Sequence, residues 1–348
     1  MNKILFFTLL TSLLFQFGWS QQPYYNTVNL SLTGQDLYFE LQNKIEQASA
    51  TFTYGDVRDS ALITDEDPFN STHVLLVYGY NDSDGNCTTD RSRDKDDFGG
   101  LNCQWNREHV FARSLANPPM GNVDNTSTGI GADPHNIRPS DQQMNNNKGD
   151  KKFASGSGNA GDVGSGNWYP GDEWKGDVAR MIMYMYTRYG DRCIPTLAGV
   201  GALQGSTNML QLFLQWNVDD PVTIFEDQRN NYLENEYGNR NPFIDNPYLA
   251  TIIWGGPVAE DRWNIFAIEE TEETLLHMYP NPTKGIIYIH TLSPIEEVVV
   301  YDMVGNELIV TQPFDSKTSF DLSILDTGVY ILSCTIDDKR IVKKIIKK

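Results

Sequence analysis

The chain has 348 residues, of which 40% are hydrophobic and 21% are charged, so it is long enough for two domains with apolar cores. Its four cysteines are too few for a disulfide-dense scaffold. The formal net charge of −19 opposes tight, nonspecific binding of a polyanion. A polyanionic partner would therefore need local Lys and Arg side chains or a divalent cation.

The first 20 residues have the pattern of a secretory signal peptide. Lys3 supplies a short cationic start, residues 4–17 form an apolar run, and Gly18 and Ser20 place small residues before the predicted cleavage point. The run is shorter than the roughly 20 apolar residues of a transmembrane helix, and no later stretch is long and apolar enough to span a membrane. We expect an exported chain without a membrane span, secreted or at the cell surface.

The elements that follow are predicted from periodicity and turn residues. Residues 35–55 have apolar side chains at helical spacing and predict an amphipathic helix. The apolar residues 73–79 predict a strand, and the Asp-rich residues 80–100 predict a loop. Residues 156–166, rich in Gly, Ser and Asn, predict a flexible insertion.

The clearest predicted helix covers residues 175–190, where apolar residues recur at helical spacing. Arg180 and Arg188 lie on a different face of this helix from the apolar stripe. These arginines are either solvated helix charges or contacts to phosphate groups. Residues 213–230 continue helical, and the acidic residues around 260–273 mark a domain boundary.

Two of the cysteines flank a polar, Gly-containing loop. A disulfide between Cys87 and Cys103 would stabilise an exported protein by about 3 kcal/mol in the chain-entropy model. Free, buried thiols are the alternative, since sequence alone does not give connectivity. Both interpretations stay open at this point.

The C-terminal residues change in character and predict a small β-sandwich. Short β-rich runs are separated by turn signals at residues 280–282, 305–306 and 327–328. The runs cover residues 286–290, 298–301, 308–311 and 329–334.

A dense set of polar side chains lies in four short blocks, which are residues 105–110, 133–136, 138–141 and 144–148. Polar residues at this density do not form an apolar core. They have the types that phosphodiester hydrolysis needs, namely a base that deprotonates water and oxygen ligands for a divalent cation.

His109 can serve as the base, because an imidazole near its ordinary pKa is partly neutral at pH 7. Glu108 and Asn145 offer two hard oxygen ligands, which suffice for Mg²⁺ because this ion keeps several waters. The adjacent Asn146 leaves the register of the second ligand open. Neighbouring residues in a strand point to opposite faces, so Glu108 and His109 must sit where a strand ends or bulges.

These blocks resemble the endonuclease I family of secreted, sugar-nonspecific nucleases. The resemblance rests on Arg107-Glu108-His109, the 133–136 block and Asn145. It extends through further motifs, which are residues 175–180, 188–190, 220–222 and 238–245. It implies an α+β fold with a His-Me finger, a strand–loop–strand–helix unit that holds a metal.

The resemblance also implies roles for single residues. His109 would be the general base, and Glu108 and Asn145 would bind Mg²⁺; whether Mn²⁺ or Ca²⁺ substitutes is left open. Apart from the resemblance, His135 and Asn136 are expected to be structural, with a catalytic role for His135 as the alternative. Expected contacts to the substrate are Arg180, Arg188 and Lys148. The chain departs from the family at Lys148 and Asp150, where relatives tend to carry Arg and Asn.

The C-terminal β-rich residues resemble the sorting domain read by the type IX secretion system. The resemblance rests on residues 279–285, 301–305 and 328–330 and on the Lys-rich terminal strand. It implies export without catalysis, and a carbohydrate-type binding module is the alternative. Its expected partner is the secretion machinery.

We therefore predict four segments: a signal peptide (1–20), a catalytic domain (21–262), a linker (263–275) and a sorting domain (276–348). The expected function is a secreted, monomeric endonuclease acting on DNA, RNA or both and leaving 5′-phosphate ends. The rival hypothesis is an inactive adhesion or binding protein that keeps a nuclease fold. The presence of Glu108, His109 and Asn145 together argues against the rival.

Overall fold

The computed structural model describes residues 22–265, 276–291, 293–336 and 339–348. The predicted signal peptide and most of the predicted linker lie outside these residues. The chain divides into two compact units between Trp263 and Asn264. Each unit is described by itself below.

The first unit contains helices and short strands in alternation. Its helices are α1 (Gly34–Ile45), α2 (Tyr54–Thr64), α3 (Gln142–Lys148), α4 (Lys175–Tyr189), α5 (Pro195–Ala198), α6 (Gln211–Asp219), α7 (Ile224–Glu236), α8 (Pro242–Asp245) and α9 (Tyr248–Trp254). Its strands are β1 (Glu66–Asp67), β2 (Asn70–Leu75), β3 (Ser92–Asp94), β4 (Trp105–His109), β5 (Ile137–Asp141), β6 (Lys152–Phe153), β7 (Gly161–Gly164) and β8 (Asn167–Tyr169). The strands form three small sheets, ordered β1-β2-β3, β4-β5 and β6-β8-β7.

Helix α4 is the centre of the first unit. Residues 176–187 of this helix are all buried, and the helix packs against α1, α6 and α8. The helix predicted over residues 175–190 is therefore confirmed. Its polar face is buried as well as its apolar stripe, a difference that matters for the arginines discussed below.

Two predicted helices have the wrong bounds. The helix predicted over residues 35–55 ends at Ile45, and α2 begins separately after Thr53. The Thr53 hydroxyl accepts a hydrogen bond from Asp56 N, and the Asp56 carboxylate accepts one from Thr53 N, a capping box that fixes the start of α2. The helix predicted over residues 213–230 is interrupted at Pro221, which has no N–H and disfavours helical backbone before it.

The apolar residues 73–79 form less strand than predicted. β2 ends at Leu75, and residues 76–79 form a turn in which Gly79 N donates to Leu76 O. Tyr78 has the left-handed φ of 74° that such a turn requires. The run is apolar because the turn is buried, and its Val77 N donates to Pro139 O of β5.

The segments predicted as loop and insertion contain short strands. β3 lies within residues 80–100, and β7 lies within residues 156–166 and pairs with β8. Cys87 and Cys103 are joined by a disulfide, with their Cα atoms 5.4 Å apart, so the first of the two cysteine interpretations is confirmed. Cys193 and Cys334 are buried, free thiols.

The second unit consists of strands. They are β9 (Leu276–Tyr279), β10 (Ile286–Thr291), β11 (Ile295–Tyr301), β12 (Glu307–Thr311), β13 (Lys317–Asp321), β14 (Gly328–Ile336) and β15 (Lys339–Lys347). They form two antiparallel sheets, ordered β13-β10-β9 and β12-β11-β14-β15. Alternating apolar residues of both sheets share one core, as in Ile287 and Ile289 of β10 and Val298 and Val300 of β11. The mixed first unit and strand-rich second unit agree with the predicted α+β class.

Within the described residues, none of the helices has the length and apolar character needed to cross a membrane.

Candidate active site

The polar blocks fold into a strand pair followed by a helix. β4 and β5 pair antiparallel, from Trp105 opposite Asp141 to His109 opposite Ile137. Helix α3 begins directly after β5, because the Asp141 carboxylate accepts hydrogen bonds from Gln143 N and Met144 N at 2.8 and 2.9 Å. This cap turns the chain so that α3 lies against β4.

Asn145 ties α3 back to β4. Its Nδ2 donates to Asn106 Oδ1 at 2.7 Å and to Arg107 O at 3.4 Å. Because both amide protons are used in this way, the amide is fixed with Oδ1 as its acceptor atom. Asn146 is exposed and takes no part in the cleft described next, so the structure places Asn145 beside the other polar residues.

A cleft of about 520 Å³ lies at the end of β4. Glu108, His109 and Asn145 all line it. β4 ends at His109, so the alternation of side chains along a strand does not force Glu108 and His109 onto opposite faces. The prediction that this pair sits at a strand end is confirmed.

His109 is held in one orientation by a ring contact and a hydrogen bond. Its ring stacks on Tyr54 with centroids 5.4 Å apart, and Nε2 lies 2.8 Å from Gly131 O. A carbonyl oxygen only accepts, so Nε2 carries the proton and Nδ1 is the basic atom of the neutral ring. Burial lowers the pKa of His109 to about 4, which keeps the imidazole neutral at neutral pH.

Glu108 is buried, and one of its oxygens is already occupied. Oε1 accepts a hydrogen bond from the Tyr78 hydroxyl at 3.1 Å and lies 3.4 Å from Lys148 Nζ. Oε2 accepts no hydrogen bond from any residue that the structure describes. Burial raises the pKa of Glu108, while the Lys148 ammonium opposes this shift.

The donor atoms suit a cation that needs few protein ligands. Among residues 22–265, 276–291, 293–336 and 339–348, no three or more His, Cys, Asp or Glu side chains are grouped to hold a metal ion. Glu108 Oε2 and Asn145 Oδ1 are hard oxygens in one open cleft, which fits Mg²⁺ with retained waters better than a closed Zn²⁺ site.

Lys148 does not lie where a substrate contact was expected. Its side chain is buried, with Nζ 3.4 Å from both Glu108 Oε1 and Val110 O. The ammonium therefore serves as the counter-ion of Glu108. We correct its predicted role from phosphate contact to a positioning residue behind the cleft.

Arg180 is also placed differently from the prediction. It is fully buried, and its guanidinium binds both carboxylate oxygens of Glu226 at 2.6 and 2.7 Å and donates to Asp220 O. A phosphate group cannot reach it without unfolding this contact. The repeat of arginines along α4 predicts an exposed face, but the carboxylate of Glu226 allows Arg180 to be buried.

Arg188 repeats the pattern at the other end of α4. Its Nη1 lies 2.8 Å from Asp133 Oδ2 and also donates to the hydroxyls of Tyr184 and Tyr237. Only 8% of the side chain is exposed. This arginine joins α4 to the 133–136 block, and its predicted phosphate contact is likewise corrected.

His135 and Asn136 lie behind the cleft in buried positions. His135 Nε2 lies 3.2 Å from Asn239 O, and its ring packs 4.5 Å from that of Tyr184; burial lowers the pKa of His135 to about 3. The Asn136 amide accepts from Phe111 N and donates to Phe111 O, which fixes the chain just after β4. Neither residue lines the cleft.

Three cleft residues were not assigned to the substrate by sequence reasoning. Arg107 and Arg113 are half-buried cations in the cleft, and the Tyr54 ring contacts both the Arg107 guanidinium and the His109 ring. Arg107 Cζ is 3.5 Å from the Tyr54 ring centroid, and Arg113 donates to Gly121 O. Both arginines lie within four residues of His109 in the sequence, and this proximity could have indicated that they line the same cleft. Tyr54 comes from the start of α2, and no local motif points to it.

Comparisons with known proteins give the family of the chain. The model of the Endonuclease I family matches residues 33–248, more than half of the chain. The chain is 38% identical over 237 residues to the extracellular ribonuclease of Bacillus subtilis (strain 168), a match that covers 64% of this chain and 75% of the relative. It is also 38% identical over 225 residues to the extracellular ribonuclease of Bacillus amyloliquefaciens, with 61% and 72% covered.

A second model, the Secretion system C-terminal sorting domain, matches residues 277–348, the strand-rich second unit. The protein is thus secreted or exposed at the cell surface. Both resemblances expected from the motifs are confirmed. The chain belongs to the endonuclease I family.

Proposed function

We propose that this protein is a secreted, metal-dependent endonuclease that hydrolyses phosphodiester bonds of RNA, DNA or both and leaves 5′-phosphate ends. The observation that carries the proposal is the cleft itself. A neutral imidazole lies there beside two hard oxygen donors on a strand–loop–strand–helix unit, which we propose to be a His-Me finger. An inactive binding protein would have no need to keep all three groups in this arrangement.

His109 is the general base of the proposed reaction. The Gly131 carbonyl holds the proton on Nε2, so Nδ1 accepts a proton from the attacking water. The Tyr54 ring restrains rotation of the imidazole. The low pKa of His109 means that little of it is lost to protonation at neutral pH.

Glu108 and Asn145 are the residues that would hold Mg²⁺. When bound, the ion would neutralise charge on the phosphate and on the leaving 3′ oxygen. Tyr78 and Lys148 orient the Glu108 carboxylate by occupying Oε1, and the Asn106 and Arg107 oxygens orient the Asn145 amide. Such partners behind a ligand fix its geometry in advance.

Arg107 and Arg113 replace Arg180 and Arg188 as the proposed phosphate contacts. They are the cations that line the cleft, and the net charge of −19 makes such local cations necessary. Stacking on Tyr54 limits the motion of Arg107, so less side-chain freedom is lost when phosphate binds.

The direct test is digestion of single-stranded RNA and duplex DNA, side by side, with Mg²⁺ and with EDTA. We expect cleavage of at least one substrate with Mg²⁺ and none with EDTA. The two relatives named as ribonucleases make RNA the first substrate to try. Binding of both nucleic acids without cleavage under any divalent cation would favour the inactive binding protein.

Replacing Asn145 by alanine should weaken Mg²⁺ binding by at least about 10-fold, the loss typical when even a partner behind a ligand is removed. Asn146→Ala is the matched control, because Asn146 is exposed on the same helix and does not line the cleft. Calorimetric titration with Mg²⁺ in the absence of nucleic acid measures both affinities without catalysis. Equal affinities for Asn145→Ala and the parent would remove the amide from the ligand set.

Deleting residues from 276 onward should leave nuclease activity intact and trap the protein in the periplasm. The reason is that the strands of the second unit share their own core, and every cleft residue lies in the first unit. Activity is measured on purified protein, and location by fractionation of cells that express each form. A truncated protein that still reaches the medium would contradict the role in type IX export.

A further inference from the structure

A second depression lies on the other side of α3 from the active-site cleft. Its volume is about 470 Å³, and Asn147 lines it, whereas Asn145 lines the cleft. Residues two apart on a helix differ by about 200° in direction, so these two amides leave α3 on opposite faces. We call this depression the α3 groove and define it by Tyr80, Asn86, Thr88, Asn147, Lys151 and Trp168.

The cleft and the α3 groove are both lined by residues that follow α3. Asp150 lines the cleft, and the next residue, Lys151, lines the groove. A substrate strand that runs from the cleft along these residues would enter the groove.

The side-chain amides of Asn86 and Asn147 use their oxygens within the protein and leave their NH₂ groups free in the groove. Asn147 Oδ1 accepts from Gln143 Nε2 at 2.9 Å, and Asn86 Oδ1 accepts from Thr88 N at 3.3 Å. Within the described residues, neither side-chain NH₂ group donates to an acceptor. Each oxygen is thus used internally, and the groove keeps the hydrogen-bond donors.

Trp168 adds a donor of a more unusual kind. Its side chain is 2% exposed and forms part of the groove wall, and Nε1 has no hydrogen-bond partner in the parts of the chain that the structure describes. A buried N–H without an acceptor destabilises a fold, so such groups are normally satisfied. Lys151 Nζ lies 5.7 Å from the Trp168 ring centroid and 3.3 Å from Asp162 Oδ2. Asp162 also lines the groove and balances the charge of Lys151, which leaves hydrogen bonding as the main means of binding.

We propose that the α3 groove is a nucleotide subsite, which takes a nucleotide of the substrate strand next to the scissile bond. This inference rests on the proposed nuclease function. A nucleotide offers acceptors on its phosphate and on the edge of its base for the free donors of the groove, and an aromatic face that can pack on Tyr80. The subsite makes the enzyme prefer chains that extend beyond the cleaved bond over a dinucleotide.

The first test measures binding in a background without the catalytic base. A His109→Gln protein is titrated with a fluorescently labelled RNA 12-mer in Ca²⁺, and the anisotropy is recorded. Asn147→Ala and Lys151→Met, each added to this background, should weaken binding by about 2- to 10-fold, the range for one lost hydrogen bond. Asn146→Ala is the matched control, since it is exposed on the same helix and lines neither depression.

The second test compares cleavage of the 12-mer with cleavage of a dinucleotide, both with His109 in place. In Asn147→Ala the ratio of kcat/KM for the 12-mer to that for the dinucleotide should fall by the same factor as the affinity. If the parent cleaves RNA but neither this ratio nor 12-mer binding changes in Asn147→Ala and Lys151→Met, the subsite is wrong and the proposed function stands. If the parent cleaves no nucleic acid with any divalent cation, the proposed function and the subsite both fail.

Discussion

Replacing His109 by glutamine should lower kcat by about 10²- to 10⁴-fold, the usual contribution of a general base. Glutamine is chosen because its amide N–H can donate to Gly131 O as Nε2 does, while it has no atom that accepts a proton at neutral pH. His109→Ala removes the base and this hydrogen bond together. The two variants should show losses of the same order, measured as initial rates on a saturating substrate.

The controls for this prediction separate chemistry from folding. His73→Ala changes a histidine of β2 that contacts Ser92 and does not line the cleft, so its rate should match that of the parent. Mn²⁺ titration of His109→Gln should give nearly the parent affinity, since His109 is not among the proposed ligands. Near-parental kcat in His109→Gln would mean that the histidine only holds the loop around Gly131 and that another group is the base.

The chemical centre could be predicted from sequence because it is local. Glu108 and His109 are neighbours, and the strand-end argument needed only the two-residue repeat of a strand. Asn145 follows in α3, which the Asp141 cap starts. The two-residue repeat of a strand was enough for Glu108 and His109, whereas the choice of Asn145 rested on the resemblance to the endonuclease I family.

What could not be predicted depends on contacts between distant segments. The apolar residues 76–79 predict a strand, but they form a buried turn in which Val77 N donates to Pro139 O. The periodicity of the sequence does not indicate this distant partner. Tyr54 reaches His109 from the start of α2. The donor-rich α3 groove combines residues from the segment 80–89, α3 and β8, and it becomes visible only when these segments are assembled.

The arginines of α4 also depend on partners from distant segments, in this case the acids of buried ion pairs. A charged residue in a helix is usually exposed, so the repeat of Arg180 and Arg188 indicated a solvated or substrate-binding face. The structure instead pairs Arg180 with Glu226 and Arg188 with Asp133, acids from segments far away in the sequence. Burial of a charge is acceptable only with such a partner, and sequence does not reveal which acid it is.

Replacing Arg180 by methionine should destabilise the first unit by about 3–5 kcal/mol, the cost of leaving one member of a buried ion pair without the other. Glu226 would then lie buried without its counter-ion, although its carboxylate also accepts from Thr223 N at the start of α7. Arg91→Met is the matched control, because Arg91 pairs with Glu173 at the surface, where a pair contributes about 0–1 kcal/mol. Urea unfolding measures both changes, and the double variant Arg180→Met with Glu226→Met should recover much of the loss, since apolar residues can replace a buried pair.

The salt dependence of RNA affinity, measured well below the unfolding transition, should keep its parental slope in Arg180→Met, because Arg180 makes no contact to phosphate that the substitution could remove. Parental stability together with a slope about 0.7 shallower, the value for one phosphate of a single strand, would instead return Arg180 to the phosphate-binding role that its place in the sequence suggested.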